Sequence, residues 1–139
     1  MKKVKVAVVG LHRGALLADF ILKYSQSLDL VAVSDLDRQL AEDFARKNKI
    51  PAVHESLDDV LKTDVDAVIL ATPIPDHEEH VVKSLNAGKH VLSEVISATT
   101  IDGCQRIADA IKASGKTDII GVGFDKSDAI LNLINDGYL

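Results

Sequence analysis

The sequence predicts an α/β fold: a three-layer α/β/α sandwich on a doubly wound, mostly parallel sheet. Three observations predict it. Short apolar runs alternate with longer stretches of helical periodicity from end to end, as expected where strands and covering helices take turns. The runs are nearly all apolar rather than alternating, as in DAVILA at 66–71, which indicates strands buried on both faces. The chain has 139 residues, 47% of them hydrophobic and 27% charged. That is enough for one domain burying roughly two-thirds of the surface its unfolded chain exposes.

Each element has its own signal. KVAVVG at 5–10 is a β-branched run that ends in glycine. A helix over 15–24 follows, with Leu16, Phe20 and Tyr24 at helical spacing. LVAVS at 30–34 is the second strand, and 38–47 a helix whose inner stripe is Leu40, Ala41 and Phe44. Pro51, Ala52 and Val53 make a brief strand; Ser56 then caps a short helix, with Asp59 three residues on as its capping-box partner. The strand at 66–71 leads to a helix over 76–86, stopped at Gly88. HVLS at 90–93 is a strand, and Thr100 caps a helix running to about Ser114. DIIGVGF at 118–124 is the last strand, and Ser127 caps a final helix ending near Gly137. No internal repeat, low-complexity segment or linker interrupts this order.

Composition narrows the function. A net charge of −5 argues against general nucleic-acid binding, which needs basic surface to displace counterions. No apolar run reaches the ~20 residues of a membrane span. The N-terminal residues enter a strand pattern without a signal-peptide signature. The single cysteine, Cys104, fits a reducing, cytoplasmic setting and is expected to pack rather than attack. His77 and His80 lie i, i+3 on a helix with no third ligand at metal-site spacing, so no metal is expected, and His80 is read as a surface residue. No catalytic set of side chains has a recognisable context.

The candidate binding chemistry lies in the first turn, Val9-Gly10-Leu11-His12-Arg13-Gly14-Ala15. A dinucleotide turn wants a tight bend at its first glycine, bare backbone at its second, and close helix–strand packing at its third position. Gly10 fits the first role and Ala15 the third, while His12 occupies the second, where a side chain crowds a pyrophosphate. Gly14 leaves the turn flexible, and the helix start aims N–H groups at an anion. Arg13, and His12 when protonated, add positive charge. The second strand ends at Asp35, about the separation expected for an acid gripping ribose hydroxyls, and such an acid favours NAD over NADP. The competing reading gives Asp35 and Asp37 turn and capping roles; we assign Asp37 to the cap and Asp35 to the ligand.

Four segments carry a more specific likeness: VAVVG at 6–10, VAVSDLD at 31–37, DAVILATPIPDH at 66–77 and AGKHVLSE at 87–94. With them the chain, from about residue 1 to 107, resembles the N-terminal domain of the glucose–fructose oxidoreductase/inositol dehydrogenase family, a Rossmann-type fold. The resemblance implies that Ala71, Thr72 and Pro73 line the cofactor beside the nicotinamide ribose. It also implies that His77 sits near the cofactor and that Glu94 matches the acid of a Glu-Lys-Pro motif. Val95 and Ile96 stand where that motif has lysine and proline. Without the resemblance, Thr72-Pro73 reads as a strand terminator and Glu94 as a solvated strand end. The cofactor-binding candidates are thus Gly10, His12, Arg13, Gly14, Asp35, Thr72, Pro73, His77 and Glu94, with no catalytic residue among them.

The tail, 108–139, is similar to periplasmic sugar-binding proteins of the ribose-binding type, in which the residue matching Asp125 helps hold the sugar. The sequence therefore implies one domain over 1–139 that binds NAD, if that site survives, without turnover on its own. The alternatives are an engineered chimera joined near 105–115 with no ligand binding, and, more weakly, a sugar-binding lobe. The partners expected are a dinucleotide and a second copy meeting the surface left by an absent substrate domain, with no nucleic acid or membrane.

Overall fold

The computed structural model describes residues 3–121. Its elements run β1 (Val4–Val9), α1 (Leu11–Tyr24), β2 (Leu28–Ser34), α2 (Arg38–Asn48), β3 (Ala52–His54), α3 (Leu57–Leu61), β4 (Ala67–Leu70), α4 (Ile74–Asn86), β5 (His90–Glu94), α5 (Ile101–Ser114) and β6 (Asp118–Gly121). Six strands form one sheet in the order β3-β2-β1-β4-β5-β6. Every pairing is parallel, so the sheet of the described residues is wholly rather than mostly parallel. Residues 122–124 of the expected last strand, the helix capped by Ser127, and Asp125 lie outside the described residues.

Strand β1 shows how two layers are served at once. Val6 and Val8 pack with Leu17 and Ile21 of α1 and Ala41 and Ala45 of α2. Ala7 and Val9 pack with Leu57 and Val60 of α3, Val81 and Leu85 of α4, and Ile107 of α5. Side chains alternate across a strand, so an all-apolar run is what a sheet covered on both faces requires. The register of β1 against β2 shifts between Val6 and Ala7, which places one extra residue on β2.

The expected caps form. Asp37 accepts from the Leu40 N–H, Ser56 from that of Asp59, and Thr100 from that of Gly103. The capping box closes between side chains: the Ser56 hydroxyl donates to Asp59 Oδ2 at 2.7 Å. Burial depresses nothing here; the Ser56 hydrogen bond, then Lys62, holds the Asp59 carboxyl below its ordinary range.

Two expectations are corrected. Helix α1 starts at Leu11, four residues early, and its buried face is Leu11, Gly14, Leu17, Ala18 and Ile21. Leu16 and Tyr24 are instead 63% and 54% exposed. The sheet-facing side combines the large Leu11, Leu17 and Ile21 with Gly14 and Ala18, whose small size allows close approach, and Phe20 is only half-buried. Cys104 is exposed on α5 rather than packed.

Helix α2 ends on Lys49 in the left-handed conformation, φ 58° and ψ 37°. Glycine adopts that conformation without the side-chain clash. Lys49→Gly is expected to raise stability by roughly 0.5–1 kcal/mol. Urea unfolding at constant slope checks it, and an unchanged or lower midpoint contradicts it.

Candidate functional site

Strand β1 lies between β2 and β4, so crossovers leave it in opposite directions and a crevice opens at the carboxyl ends of the strands. A cleft of about 920 Å³ occupies this place, and Gly10, His12, Arg13, Asp35, Thr72 and Pro73 all line it. Six of the nine predicted site residues therefore meet in one space. A second hollow, of about 680 Å³, lies at the amino ends of the strands by Asp64, Lys89 and Lys116, and holds none of them.

The turn is built on Gly10, at φ 88°. A Cβ there would stand 2.6 Å from the Ala71 carbonyl oxygen, so both conformation and space demand glycine. Gly14 is buried beneath the cleft, and a Cβ on it would meet Val8 Cγ1 at 2.7 Å. The close-packing role assigned to Ala15 thus belongs to Gly14.

Asp35 is fixed by the backbone. Its Oδ2 accepts the Leu11 N–H at 2.6 Å and its Oδ1 accepts the Asp37 N–H at 2.9 Å. One carboxylate therefore caps the start of α1 from across the cleft and shapes its own loop. A carboxylate has about four acceptor positions, so two remain for a ligand. The Gly14 N–H closes the helix on the Gly10 carbonyl at 3.1 Å, which leaves the His12 and Arg13 N–H groups as first-turn donors along the helix axis.

Arg13 turns toward Glu94, its Nε and Nη2 donating to Oε1 at 2.9 and 2.6 Å. The Arg13 side chain is 67% exposed and that of Glu94 only 8%. Glu94 is thus buried and paired, not a solvated strand end. Directly after it, Val95 holds φ 64°, a region β-branched residues avoid.

His77 is fully buried and does not line the cleft. Its Nε2 lies 2.7 Å from the Thr72 carbonyl oxygen and its Nδ1 2.8 Å from that of Ile96. Both partners are carbonyl oxygens, so a neutral ring donates to one of them only; the buried ring fills the space between the loop after β4 and the loop after β5 and supports the cleft from below. His80, expected at the surface, is half-buried in the cleft wall with Nδ1 3.0 Å from Thr72 Oγ1. At the rim, Lys83 on α4 pairs with Asp58 on α3 at 2.8 Å. Sequence reasoning missed both, because neither contact lies within one local pattern; the spacing of His80 from His77 on one helix was the available signal. Among the described residues no three His, Cys, Asp or Glu side chains are grouped to hold a metal ion.

Comparison with known proteins agrees with this geometry. A family model described as an oxidoreductase family with an NAD-binding Rossmann fold matches residues 4–124. The chain is 36% identical, over 143 aligned positions, to an inositol 2-dehydrogenase/D-chiro-inositol 3-dehydrogenase of Shouchella clausii, covering 98% of this chain and 38% of that protein. It is 34% identical to a 1-carboxy-3-chloro-3,4-dihydroxycyclohexa-1,5-diene dehydrogenase of Comamonas testosteroni, covering 84% of this chain and 30% of that one. Among solved structures, scyllo-inositol dehydrogenase of Lactobacillus casei with bound NAD(H) and scyllo-inositol superposes with a TM-score of 0.80 at 27% identity, covering 99% of this chain and 42% of that one. The chain spans well under half the length of these relatives.

Two glycine substitutions test the site's backbone in opposite directions. Gly10→Ala is expected to lose roughly 2–5 kcal/mol through strain and the clash with Ala71. Val95→Gly is expected to gain up to about 1 kcal/mol by relieving strain, less the flexibility it adds. Thermal unfolding of both variants beside the parent reads the signs, and a stable Gly10→Ala protein refutes the account of the turn.

Proposed function

The chain belongs to the oxidoreductase family with an NAD-binding Rossmann fold, and we propose that it binds NAD in the cleft between the ends of β1, β2 and β4. The observation that carries this reading is the meeting of Gly10, Asp35 and Thr72 around one crevice at the strand-order switch. The two free acceptor positions on Asp35 suit the paired hydroxyls of a ribose, and the same negative charge disfavours a 2′-phosphate. The His12 and Arg13 N–H groups at the positive end of α1 suit a pyrophosphate. Arg13 is mostly exposed and spends only two of its five N–H groups on Glu94, so it can meet a phosphate while the buried carboxylate keeps its partner. His77 would hold the loop carrying Thr72 in place, and Glu94 would flank the far end of the cleft.

When bound, NAD supplies a hydride acceptor. The residues of this chain bind and orient; none of the described side chains is assigned a proton-transfer role. Hydride transfer further requires a substrate carbon held against the nicotinamide, and positioning of that kind is a large part of catalysis. We propose no turnover by these 139 residues alone. The relatives named above are dehydrogenases of inositols and of a dihydroxycyclohexadiene carboxylate. A ring-borne secondary alcohol is accordingly the substrate class proposed to give its hydride to the NAD held by this domain.

The family match supports one continuous domain, because it runs through 105–115 and on to residue 124. Similarity to one natural protein over 98% of the chain supports the same reading and weighs against a junction at that place. A sugar-binding role for Asp125 has no support among the described residues.

Calorimetric titration tests the proposal. NAD is expected to bind, with NADP at least about tenfold weaker because a 2′-phosphate meets Asp35. His12→Gly is expected to tighten NAD roughly 2–10-fold, the cost of immobilising one exposed side chain. Binding of neither dinucleotide, by the parent chain and by His12→Gly alike, refutes the reading.

A further inference from the structure

The contact between His80 and Thr72 is the part of the cleft that the family assignment does not explain. Both residues line the cleft, and Thr72 Oγ1 lies 3.0 Å from His80 Nδ1. The backbone carbonyl of Thr72 is already held by His77, at 2.7 Å from its Nε2, so the residue's main chain is fixed and only its hydroxyl proton is free to choose a direction. The His80 carbonyl accepts the Ser84 hydroxyl at 2.7 Å, and no other hydrogen bond of the described residues reaches the His80 ring.

A threonine hydroxyl has one proton and two acceptor lone pairs. If the proton goes to the imidazole, Oγ1 faces the cleft as an acceptor. If the imidazole donates, the hydroxyl proton turns toward the cleft and Oγ1 becomes a donor there. The protonation of His80 therefore decides whether the Thr72 hydroxyl proton is spent on the ring or turned toward the cleft.

We propose that His80 is a positioning residue for the bound dinucleotide: its neutral ring accepts the Thr72 hydroxyl proton at Nδ1, and Thr72 Oγ1 thereby faces the cleft as an acceptor for a ribose hydroxyl. This rests on the reading that the cleft takes NAD. Burial pushes the His80 imidazole below its ordinary value, which keeps the ring neutral near pH 7. The charged groups facing it from its own helix are Asp76 and Glu79, which favour the cation, and His77 and Lys83, which oppose it. From α3, Asp58 is paired with Lys83, and Asp35, Asp37 and Glu55 face across the cleft. On acidification the ring becomes a double donor, Thr72 turns its proton into the cleft, and the hydrogen bond from the ribose hydroxyl has to give way or reverse its direction.

Nitrogen-detected NMR of the ligand-free chain tests the assignment without any cofactor. At pH 7.5 the His80 ring is expected to carry its proton on Nε2, with Nδ1 bare. A proton on Nδ1 overturns the proposal. Calorimetry with NAD between pH 8 and pH 5 tests the consequence, in a His12→Asn background that removes the other imidazole lining the cleft. Affinity is expected to fall about 3–10-fold as His80 protonates, the worth of one hydrogen bond. His80→Asn, whose amide oxygen can accept from Thr72, is expected to keep the pH 8 affinity and lose the pH dependence. His80→Leu is expected to bind weakly at every pH. An equal pH dependence in His80→Asn overturns the proposal alone, as does its absence in the His12→Asn parent. No NAD binding at pH 8 overturns the cofactor reading, and the proposal with it.

Discussion

The close passage of Gly10 beneath the Ala71 carbonyl governs the site. A Cβ at residue 10 would lie 2.6 Å from that oxygen, so the end of β1 and the end of β4 can be neighbours only around bare backbone. The Ala71 N–H donates to the Val9 carbonyl at 2.8 Å, and the Gly10 N–H to that of Ser34 at 2.8 Å, which locks all three strand ends into one floor. From the bend α1 begins at Leu11, and its first N–H is accepted by Asp35. The carboxylate that suits a ribose is thus also the cap of the helix that suits a pyrophosphate. Local chain geometry, helix capping and ligand chemistry converge on one residue pair 24 positions apart.

How much of this was legible follows the range of each interaction. Strands read clearly because burial on both faces writes itself as a short apolar run, and caps read clearly because Asp37, Ser56 and Thr100 act within three residues. Helix α1 misled because its largest apolar residues, Leu16, Phe20 and Tyr24, share a stripe. The sheet instead took Leu11, Leu17 and Ile21 together with Gly14 and Ala18, whose small size allows close approach. Gly10 and Asp35 were readable, since a tight turn and a strand-end acid have fixed chemical demands. The pairing of Arg13 with Glu94, 81 residues apart, was not, because no local pattern records which strand end a side chain meets across a sheet. His80 escaped for a related reason: its partner is in the loop at the other end of a helical turn, and the residue type alone looked like solvated surface.

Charge at this end of the sheet is arranged for sharing rather than for exchange. Glu94 is buried and would be costly to leave unpaired, yet its partner Arg13 is largely in water. The pair holds the turn after β1 against the end of β5. A phosphate offers Arg13 a second partner without requiring a backbone movement. The strain at Val95 sits at the same strand end. There a β-branched residue is held in a left-handed turn whose N–H is anchored to the Gly121 carbonyl at 3.0 Å. Strained backbone persists where surrounding contacts over-determine it, and here both β6 and the Glu94 ion pair do so.

The glycine pattern itself reads differently once the packing is known. In the usual fingerprint the close-packing position follows the first glycine by five residues. Here the residue that needs bare backbone against Val8 and Ala71 is Gly14, four residues after Gly10. Counting back from Gly14, His12 does not fall where the fingerprint has its second glycine. It is instead an exposed second residue of α1, with its side chain on the cleft wall and its N–H along the helix axis. A side chain in that position hinders an anion by occupying space it can leave, at the cost of a rotamer, rather than by forcing the backbone away. The departure from the glycine pattern at His12 is thus one the helix geometry accommodates, because the side chain is exposed at the first turn while the backbone N–H still lies along the helix axis.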